Sequence, residues 1–136
     1  MTKSASVALA LACVFASAVL AHHEPASLGT VSLAQAVRAG GTTLSPGTYE
    51  VRLTGEHAKP LPGQSEEAVQ VIEFLQNGTV VARDAAEVMP TATAQVGTSG
   101  GANTRLRVER LKGDEFVRLS TNRNEERYLI HLAVAP

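Results

Sequence analysis

Residues 69–82 read VQVIEFLQNGTVVA, two apolar runs rich in β-branched residues that are joined by Asn77-Gly78. A two-residue turn of type I′ needs a positive φ at both central positions, and Asn-Gly adopts that conformation at the lowest cost. The stretch therefore predicts a β-hairpin. The register of such a turn places Phe74 opposite Val81.

The C-terminal third of the chain shows the alternation that is typical of half-buried strands. Apolar residues occupy every second position in three segments: Leu106 and Val108, Val117 and Leu119, and Tyr128, Ile130, Leu132 and Val134. Side chains alternate between faces, so each connecting loop must have an even length for these residues to share one face. Loops at residues 112–113 and 122–125 meet that condition. They predict a three-stranded meander with two facing pairs: Val108 with Val117, and Leu119 with Tyr128.

Turns and alternating residues also fill the region before the hairpin. Gly-Gly at 40–41 and Ser-Pro-Gly at 45–47 mark turns, and Tyr49, Val51 and Leu53 alternate with polar residues. Sequential hairpins without a long amphipathic helix indicate an all-β domain of about seven antiparallel strands. Two architectures fit this pattern, a small β-sandwich and a partly open barrel, and of these we expect the sandwich.

The N-terminal residues predict an exported protein. Lys3 precedes a run of small and apolar residues, 5–20, and the short side chains at 19–21 fit a signal-peptidase site. Cleavage after residue 18 and an uncleaved N-terminal anchor are the alternatives. The predicted division is a signal peptide at 1–21, a flexible lead-in at 22–28 and a single β domain at 29–136.

Composition excludes several classes of function for the mature chain. Cleavage would remove Cys13, the one cysteine, and with it any disulfide or thiolate chemistry. The full chain has a formal net charge of −1, and loss of Lys3 would make it −2, which gives no electrostatic basis for binding nucleic acid. The apolar run ends at the predicted cleavage site, so no membrane span is expected afterwards. We therefore expect a secreted or periplasmic protein whose partner is an unidentified component of the envelope or the extracellular space.

Histidines offer one candidate metal site. Cleavage after residue 21 would make His22 the N-terminus, where its amino group and imidazole together can chelate copper. His57 and His131 are candidate further ligands, as is His23, because nitrogen ligands suit copper. The alternative is that all four are solvated residues without a metal, since no spacing in the sequence brings them together.

Catalytic motifs are weaker. Glu56-His57 in a predicted loop would need an orienting partner and a cleft to act as the acid–base pair of a hydrolase. No nucleophile elbow of the form G-x-S-x-G occurs. The glycine-rich stretch 97–101, GTSGG, lacks the lysine of a phosphate-binding loop, and residues 90–103 predict a flexible connector.

Four arginines are predicted to share the outer face of the C-terminal meander: Arg105, Arg107, Arg118 and Arg127. The predicted register makes Arg107 and Arg118 direct neighbours, a repulsive pair unless a glutamate or a ligand lies between them. Such a face is either a binding surface for an anionic ligand or polysaccharide, or a solvated surface whose charges discourage edge pairing.

Residues 44–51, LSPGTYEV, resemble the L-x-x-G-x-Y-x-V strand entry of secreted bacterial carboxypeptidase-regulatory-like and other transthyretin-type β-sandwich modules. The resemblance implies an extracytoplasmic sandwich that binds or serves as an accessory domain, with no catalytic residues to carry over. We therefore expect a non-enzymatic β-sandwich protein that acts as a binding or structural accessory of the cell envelope. A copper-binding or copper-dependent redox protein using His22 is the alternative.

Overall fold

The computed structural model describes residues 26–90 and 104–136, which form nine β-strands and one short 3₁₀ turn at Glu66–Ala68. The strands are β1 Ala26–Leu33, β2 Val37–Ala39, β3 Thr42–Leu44, β4 Gly47–His57, β5 Val69–Gln76, β6 Thr79–Pro90, β7 Arg107–Arg110, β8 Phe116–Arg123 and β9 Glu126–Val134. The described residues contain no helix with the length and hydropathy needed to cross a membrane. The predicted signal peptide and most of the predicted connector lie outside these ranges.

All nine strands belong to one sheet, which curls into a half-barrel. Its main order is β1-β4-β5-β6-β9; β9 also pairs with β2 and β8, while β2 pairs with β3 and β8 with β7. Every strand pair is antiparallel. The all-β antiparallel prediction is confirmed, and of the two architectures left open the curled sheet corresponds to the partly open barrel. Nine strands replace about seven because two three-residue strands flank the Gly40-Gly41 turn.

The two edges of the curled sheet meet where β1 contacts the residues that lead into β7. The Thr30 amide donates to the Thr104 carbonyl at 2.7 Å, and the Leu106 amide donates to the Thr30 carbonyl at 2.8 Å. Gly29 lies beside this contact with a φ of 130°, and a Cβ added there would stand 2.3 Å from the Thr104 carbonyl oxygen. Only glycine therefore lets the edges approach this closely.

One hydrophobic core fills the inside of the curl. Its largest fully buried side chains come from six different strands: Leu28 and Val31, Val37, Val51, Ile72 and Phe74, Leu119, and Ile130 and Leu132. Most of the core is aliphatic, and the aromatic side chains in it are Tyr49, Phe74 and Tyr128. Because Leu28 is buried in β1 and the strand begins at Ala26, the folded part starts at least three residues before the boundary predicted at residue 29.

The central hairpin forms as predicted, with Asn77 at φ 52° and Gly78 at φ 77°. Its register differs by one residue from the predicted register beyond the first pairs. A β-bulge after Leu75 makes Val81 an extra residue, so that Phe74 pairs with Ala82 rather than Val81. The bulge places the buried Ala82 of β6 opposite the fully buried Phe74, because one added residue moves the side chains that follow it in β6 to the opposite face.

The C-terminal meander also forms, but both of its registers are shifted by two residues. The structure pairs Val108 with Leu119 and Thr121 with Tyr128, instead of Val108 with Val117 and Leu119 with Tyr128. A shift of two residues preserves the facing of every side chain. The predicted facing is therefore confirmed, and only the predicted loop lengths were wrong. Val108 nonetheless remains 42% exposed at the edge of the sheet.

The turn between β8 and β9 explains one of these errors. It uses two residues, Asn124 at φ 49° and Glu125 at φ 63°, where four had been predicted. Glutamate is an uncommon residue at a left-handed position, because its Cβ is crowded there. The residue types at 124–125 therefore do not predict a turn of only two residues.

Candidate functional site

The structure does not bring together His57 and His131, the two predicted copper ligands that lie within the described ranges. His57 ends β4 and His131 lies on the outward side of β9, with β5 and β6 between them, about 14 Å along the sheet at ordinary strand spacing. His131 Nδ1 instead lies 3.9 Å from Glu87 Oε2. His22 and His23 fall outside the described ranges, within which no three histidine, cysteine, aspartate or glutamate side chains are grouped to hold a metal.

The predicted acid–base pair is not assembled either. Glu56 Oε2 accepts a hydrogen bond from Arg83 Nη2 at 2.8 Å and is engaged in an exposed ion pair. His57 lines an open pocket with Lys59 and the glutamates of the 3₁₀ turn, and Glu56 is not part of its lining. The two neighbours in sequence thus point their side chains at different surroundings.

The meander does place its arginines on the outer face, as the alternation predicts. Leu106 is buried, and the closing hydrogen bonds of Thr30 fix the backbone on both sides of Arg105, which is exposed. Arg107 lies opposite Ser120 across β7 and β8, and Asn122 lies opposite Arg127 across β8 and β9. Three adjacent strands therefore present one continuous polar surface.

These residues form a cleft of about 210 Å³, the arginine cleft. Its lining is polar throughout: Thr104, Arg105, Arg107, Ser120, Thr121, Asn122 and Arg127. Arg127 Nε donates to Asn122 Oδ1 at 3.3 Å, which holds one guanidinium beside the middle strand. The cleft can offer guanidinium, hydroxyl and amide donors to a single small ligand.

Glu109 borders the arginine cleft and corrects the expected repulsion. The two-residue register shift places Glu109, rather than Arg107, opposite Arg118. Arg118 donates to Glu109 Oε2 from Nη2 at 2.7 Å and from Nε at 3.0 Å, and Arg107 Nε lies 3.0 Å from Oε1. The hydrogen bond from Arg118, with the charges of Arg107 and Arg127, lowers the pKa of Glu109 below its ordinary value.

Sequence reasoning found the arginines of the cleft but missed its neutral donors. Ser120 and Asn122 occupy alternate positions of β8 and therefore share the outer face with Arg118. That alternation was visible in the sequence, but the predicted register set Arg118 opposite Arg107, the place that Ser120 occupies. With the correct loop length, the alternation would have predicted that Ser120 lies directly opposite Arg107.

No protein-family model, curated protein or solved structure matches this chain. The function therefore has to be argued from the residues of the arginine cleft and from the sequence.

Proposed function

We propose that this protein is an exported, non-enzymatic β domain that acts in the cell envelope or outside it as a binding accessory. Its binding surface is the outer face of β7, β8 and β9. The observation that supports this most is the arginine cleft, in which three guanidinium groups gather on one polar surface of a chain with a net charge of −1. The signal-peptide pattern of residues 1–21 supports the export.

The resemblance of residues 44–51 to transthyretin-type modules supports an accessory role in the same way, because those modules bind or support other components outside the cytoplasm. Secretion to the periplasm or beyond remains part of the proposal. So does the absence of a membrane span after cleavage.

Sedimentation with native envelope tests the proposal. The purified mature chain is mixed with envelope fragments, and the fraction that pellets is measured as protein concentration rises. We expect saturable retention, which the double variant R105Q/R127Q reduces. The matched control is R38Q/K59Q, which removes two exposed positive charges that do not line the cleft. No retention, or equal loss with the control, would contradict the proposal.

Copper binding through His22 is the second candidate function. It rests on the predicted cleavage after residue 21, which would leave His22 as the N-terminus with one further imidazole, from His23, His57 or His131, as its partner. Mass spectrometry of the mature protein tests the first condition. If His22 is first, calorimetric titration with copper should show binding tighter than micromolar, and weaker binding would reject this candidate.

A further inference from the structure

The arginine cleft carries a local surplus of positive charge. Three of its lining residues are arginines, and none of its described lining residues is a carboxylate. Arg107 is paired with Glu109, but within the described ranges neither Arg105 nor Arg127 has a carboxylate at ion-pair distance. Two guanidinium groups of the cleft therefore form no ion pair within the described part of the chain, and Arg127 feels the nearby charge of Glu109.

The sheet geometry lets these two groups act on one ligand. Arg105 precedes β7 and Arg127 lies on β9, and two strand spacings separate them by about 10 Å. Asn122 of β8 lies between them and accepts a hydrogen bond from Arg127 Nε. Both Nη groups of Arg127 therefore remain available as donors. Side chains from the two outer strands can thus converge over the middle one.

The size and chemistry of the cleft restrict the ligand. A volume of about 210 Å³ is smaller than the ~300–1,000 Å³ of pockets that enclose drug-sized molecules. No aromatic residue lies in the described lining, so a sugar ring has no stacking platform there. Guanidinium forks bind planar and tetrahedral oxyanions through paired hydrogen bonds, and several of them favour the more highly charged anion.

From these observations we infer that the arginine cleft binds a tetrahedral oxyanion, a phosphate or sulfate group, between Arg105 and Arg127. Ser120 and Asn122 supply neutral donors. This inference deepens the proposed function, because it names the chemical group that the binding surface recognises. Glu109 weakens the binding of the anion, because it pairs with Arg107 and adds a negative charge at the border of the cleft.

Calorimetric titration of the full mature chain with inorganic phosphate tests the inference, at constant ionic strength maintained with chloride. We expect binding in the range of about 1 mM or tighter. R105Q/R127Q should weaken it at least tenfold, whereas R38Q/K59Q should change it less than about twofold. E109Q should tighten it by about fivefold, because a negative charge beside the anion is removed. Circular dichroism melts of each variant establish that the surface changes leave the fold intact.

Comparison ligands identify the anion and its source. Sulfate should bind as phosphate does, and acetate at least tenfold more weakly; equal binding of acetate would overturn the assignment of a tetrahedral group. Glucose 6-phosphate binding at least as tightly as phosphate would show that the group is recognised on a larger molecule, and weaker binding would point to the free ion. Absence of phosphate and sulfate binding, or equal weakening by R38Q/K59Q, would overturn the inference. Arginine-dependent retention by the envelope could still hold in that case, so the two failures are distinguishable.

Discussion

The outer face of β4, β5 and β6 and the outer face of β7, β8 and β9 are both rich in arginine, but only the first is balanced by carboxylates. On the first, Arg52 Nε lies 3.0 Å from Glu73 Oε2, and Arg83 lies 3.4 Å from Glu73 and 2.8 Å from Glu56. On the second, Arg107 and Arg118 share the single carboxylate of Glu109. One face neutralises itself, and the other has charge left for a ligand.

Register produces this difference. Arg52, Glu73 and Arg83 lie directly opposite one another across three strands, so a negative side chain separates two positive ones. In the meander the corresponding row through Arg107 has Ser120 as its neighbour. Arg107 takes its carboxylate from Glu109 of its own strand, but Arg127 faces the neutral Asn122 and remains available for a ligand. Arginine thus stabilises the sheet on the face of β4, β5 and β6, and is available to bind a ligand on the face of β7, β8 and β9.

The largest expected effect concerns the closing contact that positions Arg105. Gly29→Ala should lower the free energy of unfolding by about 3–4 kcal/mol, because the Cβ would collide with the Thr104 carbonyl at a backbone conformation that already favours glycine. Gly63→Ala is the matched control. It has a φ of 89° but nothing within 4 Å, and should cost about 1–2 kcal/mol.

Urea unfolding of both variants measures this pair. Equal destabilisation would show that the edges of the sheet are not held together at Gly29. The backbone on both sides of Arg105 would then not be held in place by β1, and Arg105 would lose its assigned position in the arginine cleft.

Removal of one carboxylate from each face gives the next effect. Glu73→Gln should cost about 1–2 kcal/mol of stability, because Glu73 is only 15% exposed, accepts a hydrogen bond from Arg52 and forms an ion pair with Arg83. Glu109→Gln should cost less, since its ion pairs are more exposed to solvent. Thermal melts compare the two variants, and a larger loss for Glu109→Gln would invert the roles assigned to the two faces.

The turn that sets the register of the arginine cleft offers a smaller effect of opposite sign. Glu125→Gly should stabilise the protein by about 0.5–1 kcal/mol, because glycine relieves the crowding at φ 63°. At the equivalent position of the central hairpin, Gly78→Ala should destabilise by about 1–2 kcal/mol. Chemical unfolding detects both, and a destabilised Glu125→Gly would refute the two-residue turn.

The smallest expected effect is the pH dependence of Glu109. Its pKa is lowered in the folded state, so its contribution to stability is present above the unfolded pKa and is lost as pH falls through the folded pKa. The difference in melting temperature between wild type and Glu109→Gln should therefore shrink between about pH 7 and pH 3. A difference that grows on acidification would have the wrong sign for the pairing with Arg118.

Local patterns predicted the elements of this fold better than their pairing. Asn77-Gly78 and the alternation in the C-terminal third defined a hairpin and a meander, because turn conformation and side-chain facing are local properties. The bulge at Val81 and the Asn124-Glu125 turn were not predictable, because neither conformation is the one that the local residue types prefer. Both depend on how the strands pair in the curled sheet.

The site followed the same limits. Arg105, Arg107 and Arg127 were placed on the outer face from alternation alone, which needs no register. Their neutral neighbours and the role of Glu109 required the register, and the edge contact at Thr30 required the curl of the whole sheet. Long-range contacts of this kind leave no periodic signal in the sequence.

Amide chemical-shift mapping during a phosphate titration, with ionic strength held constant by chloride, shows whether the anion binds at the arginine cleft and not at the face of β4, β5 and β6. We expect saturable shifts at Arg105, Arg107, Ser120, Asn122 and Arg127, with the amides of Arg52, Glu73 and Arg83 unchanged. Shifts of equal size on both faces, or none at the arginine cleft, would contradict this expectation.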